Sequence, residues 1–275
     1  MPLNQADDLR DFTKREITLE GVSRTVWQRG TGPAVLIFPE MPGISPHVAR
    51  FARWVSQAGC TVYLPSLFGL DGAVADLERG EQVFAKLCVS AEFRLFAGGQ
   101  SSPVTTWLRA LANLAHAECG GPGVGVVGMC LTGNFALTMM VESSVLAAVV
   151  SQPSLPLDAP AALESSPAEL AAVRARLEAE DLQVRAYRFA GDQICRAERF
   201  AAYSQALGER FVARELPDSA ANLDGAPGFF AKHVNYPHSV LTVHLVNEEG
   251  SLTTQMRDEV LGYLTQQLGV APSLD

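Results

Sequence analysis

Paired cysteines are missing from this chain. Its five cysteines, Cys60, Cys88, Cys119, Cys130 and Cys195, form no C-x-x-C pair and are odd in number. That excludes a simple disulfide framework and fits free thiols in a reducing compartment. Long apolar runs are missing as well; none approaches the roughly 20 residues of a membrane-spanning helix. The N-terminus, Met1-Pro2-Leu3-Asn4-Gln5-Ala6-Asp7-Asp8, carries no basic stretch followed by an apolar one, so no secretory leader is expected. Positive charge is scarce: 21 Lys and Arg stand against 30 Asp and Glu, a formal charge of −9 with no basic run. Nucleic acid is therefore not an expected partner. A small anionic substrate stays compatible, because one buried arginine binds a carboxylate whatever the net charge. Charged residues make up only 19% and hydrophobic ones 48%, which excludes disorder and allows a sizeable core. The chain reads as a soluble cytoplasmic protein.

Several motifs are absent too. Without G-x-S-x-G there is no serine nucleophile elbow. Without H-E-x-x-H or cysteine pairs no metal site is expected, and without G-x-x-x-x-G-K-[ST] no phosphate loop. The glycines of Gly120-Gly121-Pro122-Gly123-Val124-Gly125 precede a strand, whereas a dinucleotide fingerprint lies between strand and helix. They read as a tight turn, and no cofactor is expected.

What is present is an alternation of strands and helices. Ile17-Thr18-Leu19 and Val22 to Trp27 flank Glu20-Gly21 as an N-terminal β-hairpin. Apolar runs at Ala34–Phe38, Thr61–Leu64, Val124–Met129, Leu146–Val150, Val184–Phe189 and Phe211–Leu216 read as strands. Helical spacing appears around Val48–Val55, Glu78–Val89, Val104–His116, Asn134–Val141, Pro167–Glu178, Arg199–Leu207 and Met256–Leu268. Pro217–Pro237 reads as a long irregular loop, and loops of that length are usually functional. The pattern predicts one α/β domain over 1–275: a mostly parallel central sheet with helices on both faces.

The chemistry centres on Val124-Gly125-Val126-Val127-Gly128-Met129-Cys130-Leu131-Thr132-Gly133. A β-branched run ends in a cysteine flanked by glycines, and an apolar helix follows. That is the layout of a nucleophile elbow with cysteine in the serine position. Active groups of an open parallel sheet collect at strand carboxyl ends, where Glu40, Cys130, Asp192 and His238 fall. Their order, Cys then Asp then His, is the chain order of an α/β-hydrolase triad. His238 would take the thiol proton, with His233 and His244 near enough to compete. Asp192 would orient the imidazole, with Asp218 and Asp224 as alternatives. Backbone N–H groups of Met41 and Leu131 are the natural oxyanion donors.

Phe38-Pro39-Glu40-Met41-Pro42-Gly43, Gly128-Met129-Cys130-Leu131-Thr132-Gly133, Gly191-Asp192 and Tyr236-Pro237-His238-Ser239 resemble, in order, the motifs of the dienelactone hydrolase family. The resemblance implies an α/β-hydrolase fold and a Cys-His-Asp triad that opens a small ester or lactone through an acyl-cysteine, without metal. It places Glu40 in contact with the resting thiol and substrate contacts on Arg94 and Ser239. Two departures stand out. Thr132 replaces a usual glycine, which would set the elbow helix slightly farther from its strand. Thr242 stands where the family carries a substrate-binding arginine, which counts against a carboxylate-bearing substrate. These departures motivate the alternative of a non-catalytic or ligand-sensing protein on the same fold; a thiol-dependent acyltransferase is a third reading.

Overall fold

The computed structural model describes residues 3–271; Met1 and Pro2, which open the stretch read for a leader, and residues 272–275 lie outside it. β1 (Thr13–Leu19) and β2 (Val22–Arg29) form the expected hairpin. Its two turn residues, Glu20 and Gly21, have φ of 51° and 75°. Two positive φ values in a two-residue turn give the twist that antiparallel strands need.

β3 (Ala34–Phe38), β4 (Thr61–Pro65), β5 (Val124–Met129), β6 (Val145–Ser151), β7 (Val184–Phe189) and β8 (Phe211–Leu216) complete one eight-stranded sheet. The order is β1-β2-β4-β3-β5-β6-β7-β8. β2 pairs antiparallel with β1 and β4, and every later pairing is parallel. β3 and β5 are buried along their whole length, as continuous apolar strands covered on both faces must be.

Helices cover the two faces. α1 (Pro46–Gln57) starts at Ser45, whose hydroxyl accepts the Val48 N–H, and α8 (Leu252–Gln267) starts at Ser251, which accepts the Thr254 N–H. They pack Val48, Phe51, Val260 and Leu264 against Val35, Ile37 and Val127. α3 (Val104–Cys119), α4 (Gly133–Thr138) and α6 (Ala197–Leu207) bring Leu108, Phe135 and Tyr203 against the opposite face, with Leu36, Phe38 and Val126. Alternate residues of one strand thus feed two cores. α5 (Pro167–Ala179) buries only Val173 and Leu177 and lies at the surface.

Two expectations are refined. The helix expected over Asn134–Val141 is the short α4 between 3-10 turns at Cys130–Thr132 and Met139–Val141. The stretch expected to be an irregular loop holds a 3-10 turn (Asp218–Ala220) and α7 (Gly228–His233), which packs on α2 (Leu77–Cys88). Six residues without a side-chain cap leave no period to read.

Candidate active site

At the carboxyl end of β5 the chain turns at Cys130, whose φ is 55°. A non-glycine residue in this left-handed region costs about 1–2 kcal/mol, so the surroundings must hold it there. Two glycines make the turn possible. A Cβ on Gly128 would lie 2.2 Å from the Thr132 carbonyl oxygen, and one on Gly133 would lie 2.9 Å from Pro153 Cα. The elbow is therefore tight even with Thr132 in place of glycine. The Thr132 hydroxyl accepts the Met129 N–H at 3.0 Å and lies 3.0 Å and 3.2 Å from the carbonyls of Phe38 and Pro39. It joins the elbow to the loop that carries Glu40 and Met41.

Cys130 is 9% exposed and opens into a cavity of about 340 Å³. Met41, Phe84, Leu157, Ile194, Phe229 and Phe230 supply apolar walls, and Leu131 and His238 share the lining. No lysine or arginine lines it; the other ionisable residues there are Glu81 and His233, whose Oε1 and Nε2 lie 2.8 Å apart. Met41 N–H makes no hydrogen bond among the described residues. Leu131 N–H sits in the first turn of a helix, where no intrahelical acceptor exists. Both residues line the cavity together with Cys130.

His238 is fully buried, and its Nδ1 lies 2.7 Å from Asp192 Oδ2. Asp192 Oδ1 accepts the N–H groups of Ile194 and Cys195, both at 2.9 Å. These bonds commit Oδ2 to the imidazole. The other ring nitrogen, Nε2, has no hydrogen-bond partner among the described residues, and the Cys130 thiol is a polar neighbour of the ring. Catalytic hydrogen bonds often close only when substrate binds. Burial pulls the imidazole pKa down, but the charges of Asp192 and Cys130 outweigh it and raise the pKa well above the ordinary value.

Glu40 is also buried, but it does not hold the thiol. Its carboxylate accepts from the hydroxyls of Ser239 (2.7 Å) and Thr242 and from Gln152 Nε2 (3.4 Å). Burial raises its pKa, opposed by those hydrogen bonds and by the charge of His238. The expected contact of Glu40 with Cys130 is thus replaced by a clamp on the loop that carries His238. Thr242, in the position of the family's arginine, belongs to that clamp.

Two expected substrate contacts are corrected. Ser239 is fully buried and its hydroxyl is committed to Glu40, so it does not reach the cavity. Arg94 does not line the cavity either; it sits at φ 38° in the loop before α3 and its guanidinium bonds Gln100. The competing acids and bases lie elsewhere. Asp218 accepts the Gly191 N–H at 2.6 Å, and Asp224 is exposed. His233 is at the cavity rim, while His244 accepts backbone N–H groups behind His238. Sequence reasoning missed Gln152, the cap residues Phe229 and Phe230, and the place of His244. For Gln152 a signal existed: it follows β6 directly, at the same sheet edge as the other groups. Among the described residues no group of three or more His, Cys, Asp and Glu is arranged to hold a metal ion. No described helix is long and apolar enough to cross a membrane.

A sheet in this strand order, with a strained residue on the β5 elbow and a buried Asp–His pair beside it, defines an α/β hydrolase. The sequence profile of the dienelactone hydrolase family matches residues 21–175, more than half of the chain, and the chain belongs to that family. With the family comes the class of enzyme, a carboxylic ester hydrolase. No curated protein matches the sequence. Among solved structures, the chain is similar to a dienelactone hydrolase from Anabaena variabilis, with 15% identity, TM-score 0.59, and 94% of this chain and 100% of that one covered. It is also similar to a dienelactone hydrolase-like promiscuous phosphotriesterase from metagenomic libraries, with 15% identity, TM-score 0.62 and the same coverage, 94% and 100%. An α/β serine hydrolase without lid from Xanthomonas campestris aligns with 13% identity and TM-score 0.51, over 96% of this chain and 98% of that one. At these identities the likeness concerns the fold.

Proposed function

We propose that the protein hydrolyses a small, neutral, apolar ester or lactone, with Cys130 as nucleophile, His238 as general base and acid, and Asp192 as the partner of His238. The observation that carries this reading is the single cavity wall shared by a strained, accessible Cys130 and a His238 whose outer nitrogen is unpartnered and whose inner nitrogen is fixed by Asp192.

The cycle follows from those positions. His238 Nε2 takes the thiol proton, and the thiolate attacks the carbonyl carbon. The carbonyl oxygen gains the charge and is bound by the N–H groups of Met41 and Leu131. Collapse of this intermediate breaks the C–O bond, and His238 returns the proton to the leaving oxygen. An acyl-cysteine remains. Water, deprotonated by His238, attacks it; the carboxylic acid leaves and the thiol regains its proton. Glu40 takes no proton in this scheme; through Ser239 and Thr242 it holds the His238 loop.

Substrate neutrality rests on the lining. A carboxylate entering a largely apolar cavity that offers it no lysine or arginine, and that already holds the Glu81 carboxyl group, loses hydration that the lining does not replace. The test is hydrolysis of neutral aryl esters and lactones by the wild type and by Cys130→Ala, with mass spectrometry of a slow substrate's acyl-enzyme. Activity should fall by about a thousandfold or more, and the acyl mass should map to Cys130. Equal rates in both proteins would remove Cys130 as nucleophile. A free carboxylic acid that outcompetes its own methyl ester would remove the neutral-substrate reading.

A further inference from the structure

His238 sits in a buried loop without regular secondary structure, between α7 and α8. Buried backbone N–H groups need acceptors, and such a loop has no ladder to supply them. Here the acceptor is a side chain. Nδ1 of His244 lies 2.9 Å from the N–H of His238 and 3.1 Å from the N–H of Ser239. These are the amides on the two sides of the His238 Cα. Fixing both peptide planes fixes φ and ψ between them, and with them the direction of the Cα–Cβ bond. Asp192 then sets only the rotation of the ring. The aim of the imidazole at Cys130 is thus determined by two separate devices.

The chemistry of the His244 ring follows. A nitrogen that accepts two N–H groups carries no proton, so the ring is neutral and its proton is on Nε2. That Nε2 is buried and has no hydrogen-bond partner among the described residues. The ring stands perpendicular to Phe230, with centroids 6.0 Å apart. Burial and the neighbouring His238 lower its pKa to about 3, so it does not titrate in the working range. An unsatisfied buried donor calls for a compensating role, and the double acceptor on the other side of the ring supplies one. His244 does not line the cavity and touches no reacting atom.

We infer that His244 is a positioning residue for the general base: as a neutral, Nε2-protonated ring it aims His238 by accepting the two backbone N–H groups that flank it. The inference rests on the catalytic role proposed above for His238. The test compares His244→Asn, whose side-chain oxygen falls near the place of Nδ1, with His244→Gln, whose oxygen falls near the place of Nε2. On a neutral aryl ester, H244Q should lose about tenfold to a hundredfold in kcat with KM little changed, the cost of a misplaced catalytic group. H244N should recover most of that loss. Nitrogen-15 spectra of the wild type should show a bare Nδ1 and a protonated Nε2 on His244 from about pH 5 to about pH 9. Full kcat in H244Q, equal losses in both variants, or a proton on Nδ1 would overturn the inference. Should H244Q fail to fold, the wild-type tautomer and H244N decide it. His238→Ala, run in parallel, separates the two readings. If H238A stays active, the proposed catalytic role falls. If H238A is inactive while H244Q is unimpaired, only the inference about His244 falls.

Discussion

Asp192 and His238 meet through one carboxylate oxygen, Oδ2, at 2.7 Å from Nδ1, because the other oxygen is held by two backbone N–H groups. This division of labour makes Asp192→Asn informative. The asparagine oxygen would keep the two backbone donors, which turns its NH2 group toward Nδ1. The imidazole would then carry its proton on Nε2 and could not accept one from the thiol. A fall in kcat of about 10⁴ is expected, with the fold retained. The sign of the pH effect also follows. Asp192 raises the His238 pKa, so His238 contributes stability that is fully present below its unfolded pKa and is lost as pH rises through the folded one. In D192N the acid limb of residual activity, set by the neutral His238 that must take the thiol proton, should move to lower pH. A pH–rate profile of both proteins checks this, and an unmoved limb would remove Asp192 as the source of the shift.

Gly80 on α2 is where the cavity's cap is fitted together. A Cβ there would lie 2.3 Å from Cδ2 and 2.8 Å from Cβ of Phe229 on α7. Neither the ring nor its Cβ can give way without moving the short helix. Gly80→Ala gains about 1 kcal/mol of helix propensity but costs about 1–3 kcal/mol in overpacking. We expect a small net loss of stability and a raised KM for bulky esters, since Phe229 and Phe230 both line the cavity. Denaturant unfolding and KM for esters of increasing acyl size measure the two effects. Unchanged KM across the series would show that α7 does not shape the binding site.

How much of this was legible in the chain depends on how local each requirement is. The Cys130 elbow was legible because its glycines, strand and helix are contiguous, and the structure returns φ 55° at that residue. The strand alternation gave the parallel sheet for the same reason. Asp192 and His238 are 46 residues apart in sequence; Asp192 was singled out because it stands just past the end of β7, His238 mainly because Tyr236-Pro237-His238-Ser239 resembles the family's motif. The failures lie in loops. No local rule says where the segment before α3 runs, and Arg94 ends on Gln100 instead of the cavity. Glu40 was located correctly at its strand end, but its partners Ser239 and Thr242 come from about 200 residues later in the chain, from 199 to 202. Only the folded loop reveals that those hydroxyls, and not the thiol, satisfy it.

Thr132 should contribute through its hydroxyl and not through its size. Thr132→Val leaves the Met129 N–H without its acceptor and removes the link to the carbonyls of Phe38 and Pro39. A buried group left unsatisfied costs about 1–3 kcal/mol. Because the same link steadies the loop that carries Met41, kcat should fall with it. Thr132→Ser keeps the hydroxyl and should restore both stability and rate. Loss of stability with unchanged kcat would confine Thr132 to a structural role.

Glu164 offers a test of stability that leaves the catalytic groups untouched. It is buried, with one oxygen 2.5 Å from the Ser102 N–H and the other unpartnered among the described residues. Burial, against the Ser102 hydrogen bonds, raises its pKa to about 8. For a carboxyl whose folded pKa is raised, the folded state binds more protons than the unfolded one between the two pKa values. Stability therefore falls as pH rises from the ordinary carboxyl value of about 4.5 toward about 8. The amount is of order a few kcal/mol, since each unit of difference is worth about 1.4 kcal/mol. Glu164→Gln cannot ionise, so its unfolding free energy should lose this slope. The variant should gain on the wild type between about pH 5 and about pH 8, as read by denaturant unfolding at both ends of that range. Parallel pH dependences in the two proteins would mean that Glu164 is already ionised in the fold and that its burial is compensated by another group.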